Sequence, residues 1–139
     1  MKELRIIIAG SRNFNDYLLL EKTVFNIVNT INKSDNIIKI ISGGAKGADS
    51  LGEKFAKNFK FDIVRFIPDW NKLGKRAGYV RNEQMAKYAI QDNSKGILIA
   101  FWDGISKGTM HMINLAKKYN LEIYIIRYDT GNLEYIREN

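Results

Sequence analysis

The stretch IKIISGGAKGADSL, residues 38–51, passes from a β-branched apolar run into three glycines, a lysine and an aspartate. Ile37 to Ser42 reads as a strand. After the glycines, Ala48, Leu51, Phe55 and Phe59 form a helical stripe, so the segment is a strand–loop–helix unit. Glycine lacks a Cβ, which lets the main chain take positive φ and approach a ligand closely. Where a strand gives way to a helix, exposed amides and the helix dipole suit an anion such as phosphate. The alternative is a tight turn in which Gly47 and Gly52 allow close helix–sheet packing. The pattern is not a standard nucleotide fingerprint: Ser42-x-Gly44-x-x-Gly47 keeps two of the three glycines of G-x-G-x-x-G, and no G-x-x-x-x-G-K-[ST] occurs. Neither a conventional dinucleotide oxidoreductase nor a P-loop ATPase is supported.

The same unit recurs on both sides. LRIIIA (4–9) is a continuous apolar run, as expected of a strand covered on both faces, and a stripe at Leu20, Val24, Ile27, Val28 and Ile31 follows it. Further strands are expected at 62–67, 96–101 and 122–127. Helices are expected from about Ala77, with Met85, Ala86 and Ala89 inward, and beyond WDGISKG, with Met112, Ile113 and Ala116 inward. The longest loop is PDWNKLGKRAGYV (68–80), while NKSDN (32–36) and QDNSK (91–95) read as polar turns. Five strands alternating with helices predict an α/β Rossmann-like three-layer sandwich with a five-stranded parallel sheet ordered 3-2-1-4-5. A single domain over 1–139 is expected, its core about 4–127, with 128–139 a tail of short helix or disorder.

Composition is that of a soluble globular chain: 45% hydrophobic, 27% charged, one proline and no cysteine in 139 residues. The absent cysteine excludes a disulfide framework and thiolate metal sites, and is consistent with a cytoplasmic protein. MKELRIIIAG does not read as a signal peptide, and no apolar run reaches the roughly 20 residues of a membrane span. A net charge of +7 favours an anionic partner, whether a phosphate-bearing small molecule or nucleic acid, or serves solubility alone.

The unusual residues gather where the strands end. In open α/β sheets that carboxyl edge holds the ligand crevice. Its loops carry seven basic residues (Arg12, Lys46, Lys72, Lys75, Arg76, Arg81 and Lys107) against four acids (Asp16, Asp49, Asp69 and Asp103), which points to an anionic ligand. ISKGT (105–109) is a second glycine loop, with Ser106 placed to cap the helix after it. Trp70, Tyr79 and Trp102 fall in loops, where one could stack on a base or plug the core. The candidate ligand-binding set is Gly10, Ser11, Arg12, Ser42, Gly43, Gly44, Ala45, Lys46, Gly47, Asp49, Asp69, Trp70, Arg76, Arg81, Asn82, Trp102, Asp103, Ser106, Lys107, Gly108 and Thr109. In it, residues 43–47 hold one phosphate, while Ser11, Arg12 or Lys107–Thr109 hold another polar group. Arg81 pairs with a phosphate or ribose-linked oxygen, and Asp69 accepts from ribose hydroxyls. No cofactor is required, though a magnesium ion could join ligand phosphates through Asp49, Asp69 and Asp103. His111, the sole histidine, reads as structural or exposed, so neither a zinc site nor a Ser–His triad has its usual parts.

Together GSRNFND, SGGAKGAD, PDWNKLGKRAGYVRNEQM and AFWDGISKGTMHMI resemble the YspA-type branch of the SLOG superfamily, over about residues 5–127. That Rossmann-like group includes the LOG phosphoribohydrolases and the DNA-processing protein of natural transformation. The resemblance implies a pocket for nucleotide-derived ligands such as ADP-ribose, NAD-derived or cyclic nucleotides, a homo-oligomer, and a setting in bacterial or phage conflict. In the LOG enzymes an arginine within M-H-x-R-K-x-x-M and a glutamate within P-G-G-x-G-T-x-x-E cleave the N-glycosidic bond. GYVRNEQM keeps the arginine as Arg81, but GISKGTMHM has Met112 at the glutamate position. The leading expectation is therefore a nucleotide-ligand binding protein acting as sensor or sequestering partner. The alternative is a phosphoribohydrolase with Arg81 and Asp69 or Asp103 as catalytic residues. Single-stranded nucleic-acid binding is the third reading; it demands affinity that falls steeply with salt.

Overall fold

The apolar run 4–9 becomes the middle of β1 (Glu3–Gly10), where every residue from Leu4 to Ala9 is buried. Successive side chains of a strand point to opposite faces. Ile6 and Ile8 accordingly enter one core with Leu20, Val24, Phe55 and Ala56, while Ile7 and Ala9 enter a second with Met85, Ala89, Met112 and Ala116. Two cores, one on each face, explain why the run does not alternate.

A computed structural model describes residues 2–32 and 36–136. After β1 come α1 (Tyr17–Ile31), β2 (Ile37–Ser42), α2 (Ala48–Asn58), β3 (Asp62–Arg65), α3 (Trp70–Leu73), α4 (Ala77–Ile90), β4 (Lys95–Trp102), α5 (Lys107–Lys118), β5 (Glu122–Arg127) and β6 (Asn132–Ile136). The sheet runs β3-β2-β1-β4-β5-β6. Its first five strands are parallel in the expected order, with α1 and α2 against one face and α4 and α5 against the other. The stripe residues Leu20, Val24, Ile27 and Val28 of α1, Ala48 and Phe55 of α2, Met85, Ala86 and Ala89 of α4, and Met112, Ile113 and Ala116 of α5 are buried, whereas Ile31, Leu51 and Phe59 are only partly so.

The sheet departs from expectation in its sixth strand. Residues 132–136, expected in an unpatterned tail, pair antiparallel with β5 through a turn closed by Gly131 N–H donating to Arg127 O (2.7 Å). Four of these five residues are exposed, so no buried face imposes alternation on the sequence. The long loop 68–80 is also partly ordered: Asp69 accepts from Lys72 N–H to start α3, a 3-10 turn spans Gly74–Arg76, and Tyr79 lies in the first turn of α4. The polar turn 32–36 and the tail's end lie partly outside the described residues. Among those residues no helix is long and apolar enough to cross a membrane.

Because β1 lies between β2 and β4, the chain's crossovers leave it in opposite directions, and a crevice opens at its carboxyl end. The ends of β1 and β4 approach closely there. A Cβ on Gly10 would sit 2.1 Å from Phe101 O, and Ser11 N–H donates to that same carbonyl (3.0 Å).

Candidate functional site

A cleft of about 440 Å³ opens at this switch point, a size suited to a small-molecule ligand. From the candidate set, Gly10, Ser11, Arg12, Ala45, Asp49, Trp70, Arg81, Asn82, Asp103, Ser106, Gly108 and Thr109 line it. Ser42, Gly43, Gly44, Lys46, Gly47, Asp69, Arg76, Trp102 and Lys107 do not. Residues outside the set also contribute, including Asn13, Lys75, Gly78, Tyr79, Met85 and Met112. Starting α4 at Ala77, as the sequence predicts, puts Gly78, Arg81, Asn82 and Met85 on one helical face.

The first glycine loop is filled by the protein itself. Gly44 N–H donates to Ser42 Oγ (3.1 Å) and Ala45 N–H to Asp49 Oδ2 (3.2 Å), while Arg81 Nη1 donates to Gly43 O. A Cβ on Gly47, where φ is +79°, would lie 2.3 Å from Ser11 O, so the start of α2 is closed under the loop after β1. These glycines admit a guanidinium and a neighbouring main chain.

The second glycine loop is open. Ser106 stands at the N-cap position of α5, but its hydroxyl donates to Asp103 Oδ2 (2.9 Å), lies 3.1 Å from the Ser11 hydroxyl and makes no cap. The expected Ser106 cap is therefore absent, because Asp103 and Ser11 compete for the hydroxyl. Among the described residues the first amides of α5 have no side-chain cap. Gly108 and Thr109 line the cleft, and a Cβ on Gly108 would meet nothing within 4 Å.

Arg81 forms the wall between these features. Its Nε donates to Asn82 Oδ1 (2.9 Å), and Asn82 Nδ2 donates to Gly108 O (3.3 Å) and meets His111 Nδ1 (3.1 Å). Burial pushes His111 below its usual value against the pull of Glu83, which favours the neutral ring whose Nδ1 accepts. Tyr79 packs on that ring at 4.4 Å. Thus the sole histidine is half-buried and helps hold the asparagine that orients Arg81. Burial also lowers the Arg81 pKa; Asp49 opposes that shift and Arg12 adds to it.

The three aspartates part company. Asp49 is 6% exposed, and desolvation raises its pKa against the Ala45 amide and Arg81. Asp103 feels desolvation too, but the amides of Ser106 and Ile105 and the hydroxyls of Ser106 and Ser11 hold it down at about 2. Asp69 is exposed outside the cleft. No group of three acidic or histidine side chains that could hold a metal ion exists among the described residues. Trp102 turns from the cleft, donating through Nε1 to Ser106 O (3.1 Å) beneath the Arg127 guanidinium. Trp70 and Tyr79 remain half-exposed on the cleft wall.

The family model described as YspA, cpYpsA-related SLOG family matches residues 4–73, from β1 to α3. The Gene 61 protein of Mycobacterium phage D29 is 28% identical over 125 residues, covering 86% of this chain and 93% of that protein. No solved structure matches the chain.

Proposed function

The chain belongs to the YspA, cpYpsA-related SLOG family, membership that suggests a nucleotide-related ligand at a coarse level, and from that premise we propose that the cleft binds a phosphate-bearing nucleotide-type small molecule. The uncapped start of α5 carries this reading. Its free amides and helix dipole favour an anion, and Arg12 and Lys75 on the same cleft add positive charge. The half-exposed rings of Trp70 and Tyr79 offer a stacking surface for a base, worth about 1–3 kcal/mol. The protein then acts as sensor or sequestering partner, and similarity to a phage protein fits a role in conflict between phage and host.

A thermal-shift screen across AMP, ADP-ribose, NAD and cyclic dinucleotides tests the reading. A ligand at 100 times its Kd raises stability by about 2.7 kcal/mol. Gly108→Asp places a carboxylate in open space at the anion site and should abolish the shift without unfolding the chain. Full shifts in that variant would move the anion elsewhere.

The phosphoribohydrolase alternative draws no support from the two aspartates first considered for it. Asp69 lies outside the cleft, Asp103 is tied into its own loop, and Met112 lines the cleft where the related enzymes have glutamate. Chromatography showing free base after incubation with nucleoside monophosphates would restore it.

A further inference from the structure

Two polar atoms of opposite character stand unpaired in the cleft wall. Arg81 spends Nε on Asn82 and Nη1 on Gly43 O, leaving Nη2 without a hydrogen-bond partner among the described residues. Asp49 spends Oδ2 on the Ala45 amide, leaving Oδ1 likewise unpartnered though the residue is more than nine-tenths buried. Neither atom is sealed inside the protein, and both residues line the cleft. They flank Gly43, where a Cβ would lie 2.5 Å from Arg81 Nη1 and 2.8 Å from Asp49 Oδ2. A free donor and a free acceptor are thus carried by two cleft-lining residues whose head groups converge on Gly43.

We infer that Arg81 Nη2 and Asp49 Oδ1 form a subsite for a sugar hydroxyl, which makes the cleft select ribonucleotides over their deoxy counterparts. The inference rests on the nucleotide reading of the cleft and adds the part of the ligand read by this pair. A hydroxyl has one hydrogen to give and lone pairs to accept with, so it satisfies the carboxylate and the guanidinium together. An ionised phosphate is only an acceptor and would face the buried Asp49 charge. Placement agrees: Arg81 Nη2 lies beside Gly78, over which the Trp70 ring packs, and Asn82 ties Arg81 to Gly108 at the start of α5. The pair therefore lies between the aromatic surface and the anion site, as a sugar lies between base and phosphate.

Isothermal titration of the full chain with AMP and GMP, each beside its 2′-deoxy and 3′-deoxy forms, tests this. For both bases, at least one deoxy form should bind about tenfold or more weakly, because it leaves a buried charged group unpaired. Asp49→Asn keeps an acceptor for the Ala45 amide and should shrink the ribose preference to within about threefold. The wild-type comparison stands even if that variant fails to fold. Equal binding of ribo and both deoxy forms overturns the hydroxyl subsite and leaves the nucleotide cleft intact. A preference for GMP over AMP without any ribose preference also overturns it, assigning the pair to a base edge. Failure of every nucleotide to bind defeats the nucleotide reading and this inference with it.

Discussion

Asp103 accepts from the amides of Ile105 and Ser106 and from the Ser106 hydroxyl, and its own amide donates to Ser11 Oγ. Its pKa falls from an ordinary 3.8 to about 2, so its charge stabilises the folded chain above 3.8, and that contribution is lost as the pH falls through that value towards 2. Asp103→Asn should therefore cost about 1 kcal/mol at pH 7, in urea unfolding, and almost nothing near pH 2. An equal deficit at both pH values would show that shape, rather than charge, matters. The sequence makes Asp49, Asp69 and Asp103 look alike, each an aspartate in a loop or first helical turn at the carboxyl edge. Only packing separates the buried Asp49 from the exposed Asp69 that starts α3. Lys46 and Arg76 were equally indistinguishable from Arg12 and Lys75, since side-chain direction depends on turns that residue type alone does not specify.

Glycine at helical positions was legible as unusual, though not which use each one has. Gly52, inside α2, is a packing glycine: a Cβ there would sit 2.8 Å from Ile8 Cγ2 and 2.9 Å from Ile8 Cβ, in the middle of the central strand. Gly→Ala in a helix interior ordinarily gains about 1 kcal/mol, yet here overpacking against a buried strand, which costs roughly 1–3 kcal/mol, should outweigh it. Gly52→Ala is expected to lower the urea midpoint, while Gly108→Ala, with open space around its Cβ, should leave it unchanged or raised. Opposite signs for two glycines in helices would confirm that helix–sheet contact sets the first. A stabilised Gly52→Ala would mean that α2 can shift off the sheet. The helices themselves were readable because each buries one stripe. The short α3 buries no residue, so its four residues gave no periodic signal.

At the scale of the whole molecule, the parallel order could be read because buried strands need β-branched runs and crossovers need helices, and both leave long patterns. β6 leaves none, since four of its five residues are exposed. It covers the edge of β5, stacks Tyr135 on Tyr124 at 4.6 Å and lays Ile136 against the core shared by α4 and α5. Every cleft residue lies between Ala9 and Met112, so the strand shields the sheet without touching the site. A chain ending at Asp129 would bare the hydrogen-bonding edge of β5, with Ile123 and Ile125 on it, and an unpaired apolar edge invites pairing with another chain. Losing the tyrosine pair forfeits about 0.5–1.5 kcal/mol, and losing the Ile136 contact adds to it. The truncated protein should melt about 5 °C or more below the full chain. It should elute as larger species with rising concentration, yet keep its nucleotide-induced shift in the melting temperature. Loss of that shift in a truncated chain that still folds would mean β6 supports the cleft through β5 and β4. An unchanged melting temperature with a single monodisperse peak would mean that β6 contributes nothing to holding the sheet.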